Sequence, residues 1–234
     1  MNKFKIITAL FLSLLIVSCN KSEDEASGVG DVIIVTKKIG TNTVHGLSVY
    51  AYTFSSFKSV TVVGIANGTT NTISLKANQG YKTNFYYEAP DAEFSPELPL
   101  AATYNFSAVF ENGATDEFQD ILTEKFLPVP NFTKTAFNTT TGLLEIEWDL
   151  LADADSYSLH IWDGSTQVFG STELANTVKS YAISANGGGW ASGFTPQKGK
   201  TYTVKLFAYL YEPGGNTYNL QASAVAETTV GWGN

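Results

Sequence analysis

Residues Tyr202–Ala208 read Tyr-Thr-Val-Lys-Leu-Phe-Ala, with an apolar side chain at every second position. Successive side chains of a β-strand point to opposite faces of its sheet, so a period of two predicts a strand with one buried face. The side chains expected to point into a core are Tyr202, Val204, Leu206 and Ala208. The same period turns Phe207, Tyr209 and Tyr211 toward the opposite face.

Short runs of the same kind fill the chain before this stretch, with turn residues between them. Leu144, Ile146 and Trp148 alternate with glutamates, and Asn112-Gly113 is a strong hairpin signal. Aromatic residues make up 13% of the chain, and Ser, Thr, Asn and Gly are plentiful, whereas the sequence contains no long helix-forming segment. This balance predicts an all-β protein built of antiparallel sandwiches.

The second half of the chain resembles a fibronectin type III domain. The segments that carry the resemblance are Val129-Pro130-Asn131-Phe132, Trp148-Asp149, Ala154-Asp155-Ser156-Tyr157-Ser158-Leu159 and Lys200-Thr201-Tyr202-Thr203-Val204-Lys205-Leu206. They fall in the order of that family's first, second, third and sixth strands. The resemblance implies a seven-strand sandwich with Trp148 and Tyr157 in its core and Tyr202 as the corner tyrosine.

The first half is similar but more divergent. Leu100–Phe106 resembles the same tyrosine corner, and Leu127–Pro130 carries two prolines, which disrupt strand pairing and favour a stiff junction. We therefore expect two tandem sandwiches. Residues 31–127 would form an immunoglobulin-like one, and residues 128–234 would form a fibronectin type III-like one.

The amino terminus carries a localisation signal. Two lysines precede an uncharged run, Ile6–Val17, that is too short to span a bilayer, and Ile16-Val17-Ser18-Cys19 follows. This sequence resembles the lipobox of bacterial lipoproteins. The resemblance implies that residues 1–18 are a signal peptide and that Cys19 is acylated, so that one partner of the protein is a membrane, bound through the lipid anchor.

Residues 19–30 are predicted to be a tether, because they show no apolar periodicity. Within them, Ser22-Glu23-Asp24-Glu25 resembles the acidic export signal of Bacteroidota surface lipoproteins. That resemblance implies an outer-membrane location with exposure at the cell surface. The alternative is that the acidic segment is only a spacer.

Composition excludes some partners. The chain has a formal charge of -8, and all 14 of its basic residues are lysines, so it lacks both a basic stripe and the arginine fork that suits phosphate. Nucleic acid is therefore not an expected partner. Cys19 is the only cysteine, so no disulfide can form within the chain, and packing alone must stabilise the core.

The sequence offers no convincing catalytic or metal-binding group. His45 and His160 stand in different predicted domains without partners at metal-ligand spacing. Asp149, Asp153 and Asp155 could coordinate calcium, although a solvated turn is the plainer interpretation. The carboxylates of residues 116–120 alternate between the faces of a predicted strand and do not converge as a glycosidase pair does. We expect no metal, no cofactor and no enzymatic activity.

One candidate binding surface remains. On the predicted third strand, period two sends His160 and Trp162 outward, and the third and sixth strands of a fibronectin-like sandwich are neighbours. Together with Phe207, Tyr209 and Tyr211, these residues would form an exposed aromatic face, which usually indicates contact with a ligand. The alternative is that this face packs against the first domain or lies beneath the loop 184–193.

The favoured hypothesis is a non-catalytic, lipid-anchored cell-surface protein that recognises an extracellular glycan through this aromatic face. In location and domain type it would resemble the accessory glycan-binding lipoproteins that stand beside Bacteroidota uptake systems. The alternative hypothesis is a structural or docking module that binds another envelope protein and no small ligand.

Overall fold

The computed structural model describes residues 26–66, 69–213 and 219–233. The predictions for the signal peptide, Cys19 and Ser22–Glu25 lie outside these residues. In the described part of the chain, regular structure is all β apart from one 3₁₀ turn at Asp91–Glu93. No helix there is long and apolar enough to cross a membrane.

The first half forms a sandwich of two sheets. Its strands are β1 (Gly28–Ile39), β2 (Asn42–Thr53), β3 (Phe57–Ala66), β4 (Thr69–Ser74), β5 (Lys76–Asn78), β6 (Tyr81–Glu88), β7 (Ala102–Phe110) and β8 (Thr115–Leu122). One sheet has the order β4-β3-β7-β8, and β1, β2, β6 and β5 pair in the facing sheet. The core between them contains Val32 and Ile34 of β1 and Val62 and Phe106 of the opposite sheet.

The second half forms another sandwich. Its strands are β9 (Phe132–Asn138), β10 (Leu143–Trp148), β11 (Ser156–Asp163), β12 (Thr166–Gly170), β13 (Leu174–Ala175), β14 (Ser180–Ser184), β15 (Thr201–Tyr211) and β16 (Leu220–Gly231). One sheet has the order β14-β10-β9, and the other has β12-β11-β15-β16 with β13 also paired to β11. The arrangement matches the two sheets of a fibronectin type III domain.

The two sandwiches share a sheet. Strand β16 of the second half pairs in parallel with β1 of the first half, with Ile34 opposite Ala222 and Thr36 opposite Ala224. This pairing joins β12-β11-β15-β16 to β1-β2-β6-β5 in one continuous order, which becomes a nine-stranded sheet when β13 is included. One face of that sheet covers both cores, and its other face runs across both halves without interruption.

The interior of the second half agrees with the sequence. Trp148, Tyr157 and Tyr202 are almost fully buried in one cluster. The Gln197 N–H donates a hydrogen bond of 3.0 Å to the Tyr202 hydroxyl, which confirms the tyrosine corner. In the first half the Tyr104 hydroxyl donates to the Leu100 carbonyl at 3.4 Å, as the weaker resemblance there implied.

Several strand limits differ from those expected. Strand β1 begins at Gly28, inside the segment predicted as a tether, because the N–H groups of Gly28 and Val32 donate to carboxylates of β8. The segment Asn71–Ala77, which follows the hairpin signal Asn67-Gly68 and is predicted from the sequence to be one strand, forms two strands in different sheets. The chain crosses between the sheets at the buried Leu75. Strand β12, a short edge strand, was not predicted.

One buried side chain of β16 holds the segment that follows β8 in place through hydrogen bonds. Gln221 on β16 accepts from the Thr123 hydroxyl at 2.8 Å and donates to the Thr123 and Lys125 carbonyls. Only 1% of its surface is exposed. A residue of the second half therefore satisfies the backbone of the first half where it leaves the sandwich.

Candidate functional site

The outer face of the shared sheet carries the predicted aromatic residues. In the pairing of β11 with β15, Phe207 lies opposite Ser158 and Tyr209 opposite Ser156. The even-numbered neighbours Leu206 and Ala208 are fully buried, so the period-two assignment of the two faces is confirmed. Because β16 and β1 continue the sheet, these rings stand next to the outer face of the first half.

This face forms a groove of about 1130 Å³ that both halves line. The second half contributes Trp162, Phe207 and Tyr209 to its lining. The aromatic side chains from the first half are Tyr50, Tyr52, Phe54 and Phe94. The floor between the two sets comes from β16 and β1, where Ser223 lies opposite Val35.

The other two predicted residues of the face lie beside the groove and do not line it. The His160 ring centroid is 4.8 Å from that of Phe207, and burial, followed by the charge of Lys205, lowers the pKa of His160. The Tyr211 hydroxyl lies 2.7 Å from the Ser156 hydroxyl and also bonds Glu173. Both side chains thus support the edge of the aromatic face.

The loop 184–193 lies away from this face. The Trp190 indole N–H donates to the Ser184 carbonyl at 2.9 Å, and its ring packs edge-on against Trp232 at 5.4 Å. Trp232 is 4% exposed and belongs to the second core. The first half adjoins the aromatic face edge to edge through the shared sheet.

The aromatic residues of the first half were not identified as site residues from the sequence. Tyr50 lies opposite Asp31 on β1 and opposite Tyr86 on β6, with which it stacks at a centroid distance of 6.4 Å. Tyr52 and Phe54 are 44% and 94% exposed. Tyr50 and Tyr52 are two residues apart on β2 and therefore share a face, and the pairing of β1 with β16 places that face beside Phe207.

Phe94 comes to the groove from the connection between β6 and β7. A β-carbon at Gly46 would lie 2.7 Å from the Phe94 ring, so the ring rests directly on the backbone of β2. The Lys37 ammonium lies 3.8 Å from the centroid of the same ring, a cation–π contact. The missing side chain of Gly46 is therefore what allows Phe94 to lie against the sheet.

Both lysines of the described groove lining are paired with acids. Lys37 lies 2.6 Å from Asp91, and Lys205 lies 2.6 Å from Glu227. Lys205 also lies 5.1 Å from the Trp162 ring centroid. The groove therefore presents aromatic rings and neutralised cations, with Glu88 as an additional acid.

Polar atoms without partners are concentrated on the same face. The described residues contain five buried side-chain atoms that lack a hydrogen bond, and three of these belong to Asp31, Asn84 and Trp162. Asp31 and Trp162 line the groove, and Asn84 lies opposite Tyr52. An unsatisfied buried polar atom costs roughly 1–3 kcal/mol, a cost that a bound water or ligand removes by supplying the missing hydrogen bond.

Three carboxylates meet at the end of the seam between β1 and β16. Asp31, Asp120 and Glu212 bring oxygen atoms within 4.8 Å of one another. The Leu220 N–H donates to Asp31 at 3.2 Å, and the Val32 N–H donates to Asp120 at 2.7 Å. In chemical type, these oxygens could hold a divalent cation.

Burial and mutual repulsion disfavour full ionisation of this carboxylate group. Burial, together with the charges of Asp120 and Glu212, raises the pKa of Asp31 to about 8. Burial and the charge of Asp120 also raise the pKa of Glu212. Asp31 is thus protonated through most of the neutral range, which allows the three groups to remain close together.

Three of the other acids and histidines considered in the sequence have structural partners. Asp149 accepts from the Asn131 amide at 2.8 Å, and Asp155 accepts from the Tyr211 N–H at 2.8 Å. His45 lies 3.0 Å from the Thr36 hydroxyl, and burial lowers the pKa of His45. Within the described residues, Asp149 and Asp155 do not join a convergent carboxylate group.

Comparisons with known proteins find only distant structural similarities. No protein-family model and no curated protein matches the chain. A cytokine receptor complex is 12% identical, with coverage of 87% of this chain and 97% of that one and a TM-score of 0.34. A two-domain fibronectin type III segment of chicken tenascin is 12% identical, with coverages of 87% and 96% and a TM-score of 0.28.

A β-1,2-glucanase from Parabacteroides distasonis is 14% identical, with coverage of 87% of this chain but 37% of that one and a TM-score of 0.27. At these identities and TM-scores the similarities give no information about ligand or activity. The strand order establishes that the chain is an all-β protein of fibronectin type III-like and immunoglobulin-like sandwiches.

Proposed function

We propose that this protein is a non-catalytic binding protein that recognises an extracellular glycan in the groove on the outer face of its shared sheet. The observation that carries the proposal is the groove itself, into which Trp162, Phe207 and Tyr209 project from one half and Tyr50 and Tyr52 from the other. Aromatic rings offer apolar faces on which sugar rings can stack, at little cost in conformational entropy.

The polar atoms of the groove support a sugar over a purely apolar ligand. Asp31 and Trp162 each hold a polar atom without a hydrogen-bond partner, and Asn84 holds another on the same face. A ligand rich in hydroxyl groups can both accept and donate hydrogen bonds, so it can satisfy a carboxyl, an amide and an indole N–H alike. A hydrocarbon ligand would leave all three unsatisfied.

The buried carboxylates support a non-catalytic role. The unpartnered oxygen of Asp31 is buried, and the two oxygens of Asp120 accept from the N–H groups of Val32 and Ile121. Asp120 therefore has no oxygen free to act on a glycosidic bond, and Asp31 alone cannot supply both the acid and the nucleophile or base that glycoside hydrolysis requires. If the wild type hydrolyses any glycan and Asp31→Asn abolishes that hydrolysis, this part of the proposal is wrong.

The proposed location is the outer membrane, with the protein facing outward on a lipid anchor at Cys19. The lipobox-like sequence and the acidic segment after it support this location. More than one acyl chain is needed for stable anchoring, as lipidation of this type supplies. Metabolic labelling with palmitate should mark the wild type and not Cys19→Ala, and external protease should digest the protein on intact cells.

The direct test of binding is affinity electrophoresis of the full-length protein in detergent, in native gels that contain soluble polysaccharides. We expect a neutral polysaccharide to retard the wild type, and we expect Trp162→Ala and Tyr209→Ala to reduce the retardation. Tyr81→Ala is the matched control, because Tyr81 is 67% exposed on β6 but does not line the groove. Absence of retardation by every polysaccharide would remove the glycan proposal.

A second candidate is a docking module for another envelope protein. The observation that favours it is the exposure of Phe54 and Tyr52 at 94% and 44%, since such rings also suit protein interfaces. Crosslinking on intact cells distinguishes the two functions. A single stoichiometric protein partner whose capture is lost in Tyr52→Ala, without retardation by any glycan, would favour docking.

A further inference from the structure

The two aromatic sets of the groove are too far apart for one sugar ring to contact both. Tyr209 lies opposite Ser223, which lies opposite Val35, and Tyr50 lies opposite Asp31, four residues from Val35 along β1. From β15 to β2 there are three strand spacings of about 4.8 Å, and four residues add roughly 13 Å along the strands. The backbone positions of Tyr209 and Tyr50 are therefore roughly 20 Å apart.

We propose that the groove is one composite site for a linear, neutral glycan of several sugar units, with one set of aromatic contacts on β2 and a second on β15. The proposal rests on the proposed function and adds the shape and charge of its ligand. It also assigns Tyr50 and Tyr52 of the first half to the binding site. Neither sandwich would then supply a complete site by itself.

The floor between the two sets leaves room for a continuous chain. Ser223 on β16 and Ser48 on β2 are small polar residues, and Val35 and Ile33 on β1 are aliphatic. Ser223, Val35 and Ile33 lie on the two strands between β15 and β2, and Ser48 lies on β2 two residues from Tyr50. A chain that lies across them would meet aliphatic surface and hydroxyl-bearing side chains, with the Phe94 ring, which rests on β2, at its side.

The charges of the groove favour a neutral chain over an acidic one. Among the described lining residues, the cations are Lys37 and Lys205, and each already has an acidic partner within 2.6 Å. Glu88 also faces the groove. A uronate or sulfate group would therefore meet acidic side chains and compete for paired lysines, in a protein of net charge -8.

A composite site predicts a specific dependence on chain length. Once a glycan is long enough to reach both sets, the second contact forms within the complex and benefits from a high effective concentration. Affinity should then rise steeply at one chain length and level off beyond it. A site with one aromatic set would reach its full affinity with a short oligosaccharide.

The test uses full-length protein and soluble dextran, laminarin, galactomannan and xyloglucan as neutral probes, with polygalacturonate as the acidic probe. Oligosaccharides of two to eight units, prepared from the neutral probe that retards the protein most, are then titrated by calorimetry. We expect affinity for the long oligosaccharides to fall about tenfold in Tyr52→Ala and about tenfold in Tyr209→Ala, and to be unchanged in Tyr81→Ala. Circular dichroism of each variant checks its fold.

The outcomes separate this inference from the proposed function. Retardation by a neutral probe, with a loss of the length dependence in Tyr52→Ala, supports both. Retardation that Tyr209→Ala weakens and Tyr52→Ala leaves unchanged supports glycan binding but overturns the composite site. Stronger retardation by polygalacturonate overturns the neutral ligand, and no retardation by any probe overturns both proposals.

Discussion

Asp31→Asn should stabilise the protein, and the gain should increase with pH. The substitution keeps a side-chain oxygen that can accept the Leu220 N–H, and its amide group can donate toward Asp120 and Glu212. It removes the need to keep a carboxyl protonated in the folded state. The wild type carries that need because burial and its acidic neighbours raise the pKa of Asp31 from 3.8 to about 8.

The sign of the pH dependence follows from proton binding. Between pH 4 and pH 8 the unfolded chain has an ionised Asp31 and the folded chain holds the proton, so folding takes up a proton and stability falls as pH rises. Each tenfold change in acidity corresponds to about 1.4 kcal/mol, which sets an upper limit on the order of 6 kcal/mol for the loss over this window. We expect about half of that limit, because Glu212 shares the proton as part of one coupled group.

Thermal melts of the wild type and Asp31→Asn from pH 4.5 to 9, in EDTA to remove divalent cations, measure the effect. A stabilisation of about 3 kcal/mol should raise the Tm of the variant above that of the wild type by roughly 6–12 °C above pH 8. The difference should shrink toward pH 4.5. Asp153→Asn is the control, because Asp153 is an exposed acid in a turn. A difference that is constant across this range, or larger at pH 4.5, would refute the reasoning.

Three further substitutions test the fold in urea unfolding experiments. Gln221→Leu should cost roughly 2–4 kcal/mol, because it leaves the Thr123 carbonyl and hydroxyl without their buried partner, and an unchanged midpoint would contradict that role. Tyr202→Phe should cost about 1 kcal/mol through the lost corner hydrogen bond, with the m-value unchanged. Gly30→Ala should cost about 1–3 kcal/mol, since its β-carbon would lie 2.6 Å from the Phe106 ring, and a neutral result would mean that this ring moves freely.

Much of the second half could be predicted from sequence because local patterns determine it. The period of two placed Leu206 in the core and Phe207 on the outer face, and the structure confirms both positions. The tyrosine corner at Tyr202 was also accessible, since its partner Gln197 lies only five residues away. In both cases the chain itself carries the information within a few residues.

The composite groove was not accessible from the sequence because it depends on a pairing between the two ends of the chain. The alternation of side chains can assign Tyr52 to one face of its strand, but it does not show which strand pairs with the second edge of β1. The carboxylate group has the same origin, because Asp31, Asp120 and Glu212 come from three distant segments. The division of Asn71–Ala77 into two strands at Leu75 was not predicted, because the apolar alternation continues through the point where the chain changes sheet.

The pairing of β1 with β16 also constrains the order in which the protein can fold. Strand β1 is complete early in synthesis, whereas its parallel partner is the last strand of the chain. Until β16 arrives, β1 presents an unpaired edge, which is the kind of edge that recruits other strands. Contacts between such remote segments also slow folding. Truncation near the carboxyl terminus should therefore make the amino-terminal sandwich prone to aggregation as well.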